Sequence, residues 1–217
     1  MLPPHADLVA RLRRRLAGPL PGLDAHVHMA PLHRHEDAEL LRVEGKNGRE
    51  AAVLVLLYPD DESDGSALVL TQRQPDLRDH SGQISFPGGS RDGTETAEET
   101  ALREGWEEVG VDPGAPDVIG RLSPLYIPPS RFSVYPVVAA LDERPPFEPH
   151  EAEVAALLDV PLALLLDPAT RRFRQRTVRG STFAVPHYAV GEHEVWGATA
   201  MMLAELLAVV REAVRDE

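Results

Sequence analysis

The spacing of apolar and polar residues along the chain predicts a fold built mainly of short strands. Continuous apolar runs at residues 51–58 and 67–73 flank an acidic turn that contains Gly65, a pattern typical of a β-hairpin. Further segments have the same short, bounded apolar pattern, and two of them form a second hairpin that a last strand extends. These segments are residues 83–86, 118–125, 132–141, 173–178, 182–190 and 193–196.

Helical periodicity marks the two ends of the chain. Residues 6–17 and 198–214 carry apolar side chains on one face and polar side chains on the other, which predicts an amphipathic helix in each segment. Residues 20–48 contain prolines and histidines without clear periodicity, and they predict a long connection.

The pattern between residues 151 and 166 is helical or mixed. We interpret Glu151 and Glu153 as the start of a helical segment, where they either complement the helix dipole or supply a catalytic base. Strands on both sides of one central acidic helix, with another helix closing the chain, predict a mixed α/β fold. In this fold, a mixed β-sheet lies between helical layers.

The central acidic helix falls between residues 89 and 111. Glu104, Glu107 and Glu108 lie within about 100° of arc on one face of such a helix. Like charges at this spacing repel each other, so the face is either solvated or held by a cation. Hard carboxylate oxygens suit Mg²⁺ or Mn²⁺, which also bind phosphate oxygens. We therefore predict a divalent metal site here.

The opposite face of this helix is apolar. Leu102, Trp106 and Val109 cluster there, and we expect all three to be buried. Gly105 interrupts the helix interior at a cost of about 1 kcal/mol relative to alanine, so we expect it to soften the helix.

Three further residues frame the helix. Arg103 lies beside the acidic face and is placed to hold a carboxylate in one rotamer through a bidentate pair. Gly89 and Gly110 are the entry-turn and stop signals.

Composition narrows the class of protein. The chain of 217 residues has a formal net charge of −13, which argues against a nucleic-acid-binding module. It contains no cysteine and therefore no disulfide or thiolate metal site. Neither a membrane-spanning apolar run nor a secretory signal is evident, so we expect a cytoplasmic protein without a membrane partner.

A second informative segment, residues 70–89, precedes the acidic helix. Arg73 ends a predicted strand, and Arg78 and His80 lie in the following loop. Both arginines could face the metal site and bind phosphates through paired hydrogen bonds. Alternatively, Arg73 pairs with a nearby acid and Arg78 is solvated, and His80 serves as a hydrogen-bonding residue of the loop.

Residues 89–110 resemble the Nudix hydrolase signature. The match is Gly89, five residues, Glu95, seven residues, Arg103-Glu104, two residues, Glu107-Glu108, one residue and Gly110. Gly105 departs from this signature, because an aliphatic residue usually follows the Arg-Glu pair. The resemblance implies the Nudix fold over a single domain, residues 1–217, with a core at 50–205, an N-terminal helix and connection at 1–48 and a closing helix at 198–214.

The resemblance also implies roles for these residues. Glu104, Glu107 and Glu108 would hold Mg²⁺ or Mn²⁺, with the carbonyl of Gly88 or Gly89 as a further ligand. Glu104 and Glu107 would be catalytic, and Glu104 would orient or deprotonate the attacking water. The structural positions of the motif would be Glu95, Arg103, Gly88 and Gly110.

Residues 70–89 resemble the additional signature of the coenzyme A pyrophosphatase branch of this family. The matching positions are Leu70-Thr71, Arg73, Arg78, Gly82 and Phe86-Pro87-Gly88-Gly89, whereas Val69 and Gln74 depart from it. Residues 195–200 resemble the closing strand–helix junction of that branch. The loop at residues 126–136 fits less well; there Arg131 could contact a phosphate and Tyr135 could stack on a base.

This narrower resemblance implies hydrolysis of coenzyme A or its derivatives to 3′,5′-ADP and 4′-phosphopantetheine. A Nudix pyrophosphatase for ADP-ribose or NADH-type dinucleotides is the enzymatic alternative, and a non-catalytic nucleotide sensor is the alternative from another class. The expected partner is a small nucleotide diphosphate, and a homodimer is possible.

Overall fold

The computed structural model describes residues 2–31, 38–75, 82–178 and 181–215, which form five helices, a main sheet and a smaller sheet. The helices are α1 (His5–Leu16), α2 (Leu23–His26), α3 (Ala97–Val109), α4 (Leu162–Leu166) and α5 (Gly197–Arg215). The strands of the main sheet are β1 (Arg49–Pro59), β2 (Ser66–Arg73), β3 (Ile84–Ser85), β4 (Gly88–Ser90), β5 (Asp117–Arg121), β6 (Leu125–Ile127), β7 (Phe132–Ala140) and β8 (Val154–Pro161).

The main sheet is mixed. Its central order is β3–β2–β1–β7–β5, while β4 pairs with β1, β6 with β7 and β8 with β2. β1 and β7 run parallel, and the other described pairings in this sheet are antiparallel. The N-terminal half of β1 pairs with β4 and its C-terminal end with β2, so two different segments share one side of the same strand.

Alternation along β1 fills two cores. Val55 and Leu57 point into the larger core, which α1 and α5 cover. Leu54 and Leu56 point to the other face, where they pack with residues of α3. All four side chains are fully buried. Helices therefore cover both faces of the sheet, and the predicted mixed sheet between helical layers is confirmed.

The smaller sheet has the order β11–β10–β9. Its strands are β9 (Arg171–Val178), β10 (Ser181–Val190) and β11 (His193–Trp196), as the second predicted hairpin and its extension require. One face of this sheet belongs to the larger core through Tyr188, Val190 and Val195.

The helical start predicted at Glu151 and Glu153 is wrong. Both residues lie in a turn, and the chain then enters β8, an antiparallel partner of β2. A short apolar run does not by itself distinguish a strand from a buried helix. Here the hydrogen-bonding edge of β2 selects the strand, and the helical pattern after Pro161 forms α4.

The N-terminal segment is fixed to the core. Leu8 and Leu12 of α1 are fully buried, and two 3₁₀ turns at residues 27–29 and 38–41 interrupt the predicted connection. Among the helices in the described part of the chain, none has the length and apolar character that crossing a membrane requires.

Candidate active site

Local sequence signals define the ends of α3. Thr96 is the N-cap, and its side chain accepts a hydrogen bond from the Glu99 amide (3.2 Å) while the Glu99 carboxylate accepts one from the Thr96 amide (2.7 Å). Gly110 ends the helix in the left-handed region at φ 75°, where glycine is favoured. The predicted stop at Gly110 is thus observed, whereas Gly89 lies in β4, well before the first helical residue.

The buried face of α3 agrees with the prediction only in part, since Val109 is fully buried and Leu102 packs against the same core. Trp106 is 54% exposed, so the expectation that it is buried is wrong. The side facing the sheet instead contains Ala101 and Gly105, and a Cβ on Gly105 would lie 2.6 Å from the Cδ2 atom of Leu54. Small residues let the helix approach β1 closely, and Glu108, three residues after Gly105, is buried on the same side.

The two glycines of β4 make room for this approach. β4 pairs with residues 51–53 of β1. A Cβ on Gly88 would lie 2.5 Å from the Ala52 carbonyl oxygen, and a Cβ on Gly89 would lie 2.4 Å from Oε1 of Glu104. The carboxylate of Glu104 therefore rests directly on the backbone of the glycine strand.

Arg103 organises the outer part of the site. Its guanidinium donates to both carboxylate oxygens of Glu95 (2.8 and 3.2 Å), to Glu104 (2.8 Å) and to Glu107 (3.0 Å). It also donates to the carbonyl of Ser90 at 3.0 Å. The predicted bidentate pair is present, with Glu95 as partner, and it lowers the pKa of Glu95 to about 2.

Two carboxylates form the inner part of the site. Glu108 is 6% exposed, and burial raises its pKa to about 8, aided by the nearby charges of Glu104 and Glu153. Burial likewise raises the pKa of Glu104, although the bond from Arg103 opposes this. Glu107 lies farther out, with 53% of its side chain exposed.

This donor set fits a hard divalent cation. Glu108 is buried and the neighbouring Glu104 is partly buried, and a cation between them would offset both their desolvation and their repulsion. Across residues 2–31, 38–75, 82–178 and 181–215, no three acidic or histidine side chains are arranged to hold an ion by themselves. Arg103 instead bridges Glu104 and Glu107, so further ligands must come from the substrate, water or a carbonyl.

The end of β2 brings two more groups to the site. Arg73 is close enough to Glu108 to lower the pKa of that carboxyl, and its own Nε is buried without a hydrogen-bond partner among the described residues. The Gln74 amide donates to the Glu153 carbonyl (2.8 Å), and its side chain donates to the Glu151 carbonyl (2.7 Å). Gln74 thus fixes the turn that carries Glu153.

Sequence reasoning treated Glu153 mainly as a helix-end residue and Gln74 as a departure from a pattern. The signal that connects them is the pairing of β2 with β8, which no local periodicity reveals. In the structure, Gln74, which departs from the signature at residues 70–89, makes hydrogen bonds to the turn that carries Glu151 and Glu153.

Arg131, a further predicted phosphate-binding residue, has no described contact with the carboxylates. Arg131 is exposed in the turn between β6 and β7 at φ 56°, where its amide donates to Ile127 and its carbonyl accepts from Arg49. None of its described contacts reaches the carboxylates, and its phosphate contact stays a prediction. Arg78 and His80 lie outside the described residues.

A protein-family model and several known proteins match the chain in sequence. The NUDIX domain model matches residues 48–179. The chain is 33% identical over 171 residues to Nudix hydrolase 15, mitochondrial, of Arabidopsis thaliana, covering 76% of this chain and 59% of the relative. It is 38% identical over 161 residues to an uncharacterized Nudix hydrolase, NudL, of Escherichia coli O7:K1, covering 74% of this chain and 82% of the relative.

Solved structures give a weaker likeness. A Nudix hydrolase from M. Smegmatis, RenU, is 24% identical with a TM-score of 0.43, over 58% of this chain and 81% of that one. This likeness carries no argument about function. The chain spans less than two thirds of the length of the plant relative, so the activity of that whole protein is not transferred by similarity alone.

Proposed function

Because the chain belongs to the Nudix family, we propose that it hydrolyses the diphosphate bond of coenzyme A or its derivatives, giving 3′,5′-ADP and 4′-phosphopantetheine. The observation that carries the reaction type is the position of the partly buried Glu104 and the buried Glu108 against the Gly88–Gly89 strand, with Arg73 beside them. The proposed metal ligands are Glu104, Glu107 and Glu108, with the Gly89 carbonyl as a further donor.

Hydrolysis requires water to attack one phosphorus while the bridging oxygen leaves with the other phosphate. A bound Mg²⁺ or Mn²⁺ would neutralise the charge of the diphosphate oxygens. Glu104 accepts the proton of the attacking water in this proposal, and Arg103 holds its carboxylate in position.

Arg73 completes the proposed binding of the diphosphate. Its Nε lacks a hydrogen-bond partner among the described residues, and its charge acts on Glu108, so a phosphate oxygen at this place would satisfy a buried donor. Glu107 is the proposed second catalytic carboxylate, which the hydrogen bond from Arg103 that it shares with Glu104 supports. Glu153 is the base to consider if Glu104 proves dispensable.

The choice of coenzyme A rests on residues 70–89, which resemble the signature of that branch. Three of its matching residues, Arg73, Gly88 and Gly89, lie beside the carboxylates, which supports a role in binding the substrate diphosphate. Turnover of coenzyme A, ADP-ribose and NADH with Mg²⁺ or Mn²⁺ tests this choice. A preference for ADP-ribose or NADH would refute the substrate, and tight binding without any turnover would indicate a sensor.

Glu104→Gln tests the reaction. We expect kcat for coenzyme A to fall by about 100-fold or more, because the variant loses a proton acceptor and a ligand charge at nearly constant volume. Glu98→Gln is the matched control, because Glu98 lies on the same helix but pairs with Arg121 at the surface. Steady-state kinetics and thermal melting check both variants, and near-normal activity of Glu104→Gln would contradict the assignment.

A further inference from the structure

Arginines are frequent at residues 171–179 of this acidic chain, a range that includes the strand β9. Five of the 22 lysine and arginine residues fall between residues 171 and 179, although the net charge is −13. Arg171, Arg172 and Arg174 are exposed on β9, an edge strand of the smaller sheet. Charged residues on an edge strand discourage aggregation, but charges on either face of the sheet would have this effect.

Three chemically distinct side chains form a row across the outer face of this sheet. His187 of β10 is the direct partner of Arg172 on β9 and of Trp196 on β11. Directly paired residues share a face and lie about 5 Å apart. Tyr188 and Val195 occupy the opposite face and belong to the core, so the row faces away from the core.

The middle member of the row has an unpartnered donor or acceptor. His187 is 7% exposed, and its Nδ1 atom has no hydrogen-bond partner among the described residues. Its Nε2 atom lies 3.9 Å from Oε1 of Glu194, beyond hydrogen-bond distance. A buried polar nitrogen without a partner costs free energy and calls for a ligand or another explanation.

The arginines of this face are only partly paired. Arg174 donates to Glu194 at 2.7 Å, and 62% of its side chain remains exposed. Nε of Arg172 donates to the Ala169 carbonyl at 3.4 Å, and no described carboxylate forms an ion pair with its terminal nitrogens. The face therefore keeps guanidinium donors beside the histidine, with one carboxylate competing for them.

This face is connected to the candidate active site. β11 leads into α5, whose Thr199 hydroxyl donates to the carbonyl of Ile84 in β3 (3.0 Å). Ile84 pairs with Gln72, the residue before Arg73, and β3 continues into the Gly88–Ser90 strand. The row and the carboxylates are thus supported by the same short strand.

We propose that the row of Arg172, His187 and Trp196 binds a phosphomonoester at the nucleoside end of the substrate, an inference that rests on the proposed function. Arg172 and Arg174 donate to the phosphate oxygens, and Nδ1 of His187 donates in the tautomer that has its hydrogen on Nδ1. Trp196 flanks the base. Glu194 competes with the phosphate for Arg174, which selects for dianionic ligands over weaker anions.

Calorimetric titration of the full chain in EDTA tests this subsite without metal at the carboxylates. We expect adenosine 3′,5′-bisphosphate to bind more tightly than adenosine 5′-monophosphate. Arg172→Ala should weaken binding of the bisphosphate about tenfold and leave the monophosphate nearly unchanged, because it removes charge-assisted hydrogen bonds to one phosphate. Inorganic phosphate binding as tightly as the bisphosphate would overturn the nucleotide assignment.

Two further variants test whether weaker binding results from misfolding or from the loss of any positive charge on the strand. Arg171→Ala removes the same charge from the opposite face of the same strand, and it should leave the preference for the bisphosphate intact. Glu194→Gln should tighten binding of the bisphosphate, a gain that a misfolded protein cannot produce. Equal losses in the two arginine variants, or no gain in Glu194→Gln, would overturn the proposal.

Different results refute the proposed subsite and the proposed reaction. If Arg172→Ala loses the preference for the bisphosphate but the unaltered protein does not hydrolyse coenzyme A, the subsite stands and the proposed substrate is wrong. If coenzyme A is hydrolysed and Arg172→Ala raises KM equally for coenzyme A and its 3′-dephospho form, the reaction stands and the subsite is wrong.

Discussion

Gly105 shows how one residue sets the position of the candidate site. Its place in the helix interior lowers helix propensity, which sequence reasoning took to be a local weakness. The missing side chain instead allows α3 to lie against Leu54, which is fully buried. This close approach also brings Glu104 onto Gly89, so the glycine determines where the carboxylates lie.

Gly105→Ala therefore should destabilise the protein. Alanine gains about 1 kcal/mol of helix propensity, but its Cβ would lie 2.6 Å from Leu54 in a filled core. We expect the free energy of unfolding in urea to fall by about 1–2 kcal/mol, since overpacking costs more than the gain. Gly114→Ala, with its closest contact at 3.4 Å, is the control. Unchanged or increased stability of Gly105→Ala would contradict the close-packing explanation.

At the scale of elements, α3 depends on its own ends. Its outer face leaves Trp106 exposed, so the amphipathic pattern contributes less to its stability than the sequence suggests. The capping box of Thr96 and Glu99 compensates by satisfying amides of the first turn.

Thr96→Ala tests this dependence. We expect a loss of about 1 kcal/mol in the free energy of unfolding, because one amide of the first turn loses its acceptor. Thr96→Ser keeps the hydroxyl and should retain most of that stability. Chemical denaturation of both variants provides the measurement, and equal losses would show that the methyl group rather than the cap matters.

The helices and strands also show which parts of the fold the periodicity of apolar residues does not predict. The sequence predicts both hairpins and the closing helix within a few residues, because each has a regular pattern and clear turn residues. For α3 it predicts the end at Gly110 but misses β4, which precedes the helix. Residues 154–161 were misassigned because their apolar run is short and their strand conformation depends on β2, more than 80 residues earlier. The burial of Trp106 was likewise misjudged, since the face of a helix that packs depends on a partner that the local sequence does not name.

At the scale of the whole molecule, Glu205 of α5 joins segments that are far apart in sequence. This fully buried carboxylate accepts hydrogen bonds from the Gly22 amide (2.8 Å) and from the amide and hydroxyl of Ser123 (3.0 and 2.6 Å). Nε2 of His26 lies 2.9 Å from Oε2 of Glu205. Burial acts to raise the pKa of Glu205, but these partners outweigh it, and the pKa is lowered.

Glu205→Gln should cost about 3 kcal/mol of unfolding free energy at neutral pH, because it breaks a buried pair and places an amide among donors. Because the pKa of Glu205 is lower in the folded state than in the unfolded state, its contribution to the free energy of unfolding is complete above the unfolded-state pKa. It is lost as the pH falls through the folded pKa, so the difference from the unaltered chain should shrink in acid. Urea denaturation across pH measures this.

Glu212→Gln is the matched control, since Glu212 lies on the same helix and pairs with Arg15 at a partly exposed site. We expect a loss below about 1 kcal/mol there. Similar losses for the two variants would show that Glu205 is no more than a surface-type charge.

The parallel pairing of β1 with β7 has a consequence for how the protein forms. Arg49 pairs with Phe132 and Leu57 with Ala140, so the central ladder joins segments separated by more than 80 residues. Such distant contacts slow folding, because a long loop must close before they form. On the ribosome, the acidic helix therefore emerges before the strand that completes its platform. We expect the arrangement of Glu104 and Glu108 to form only after residue 140 has been synthesised.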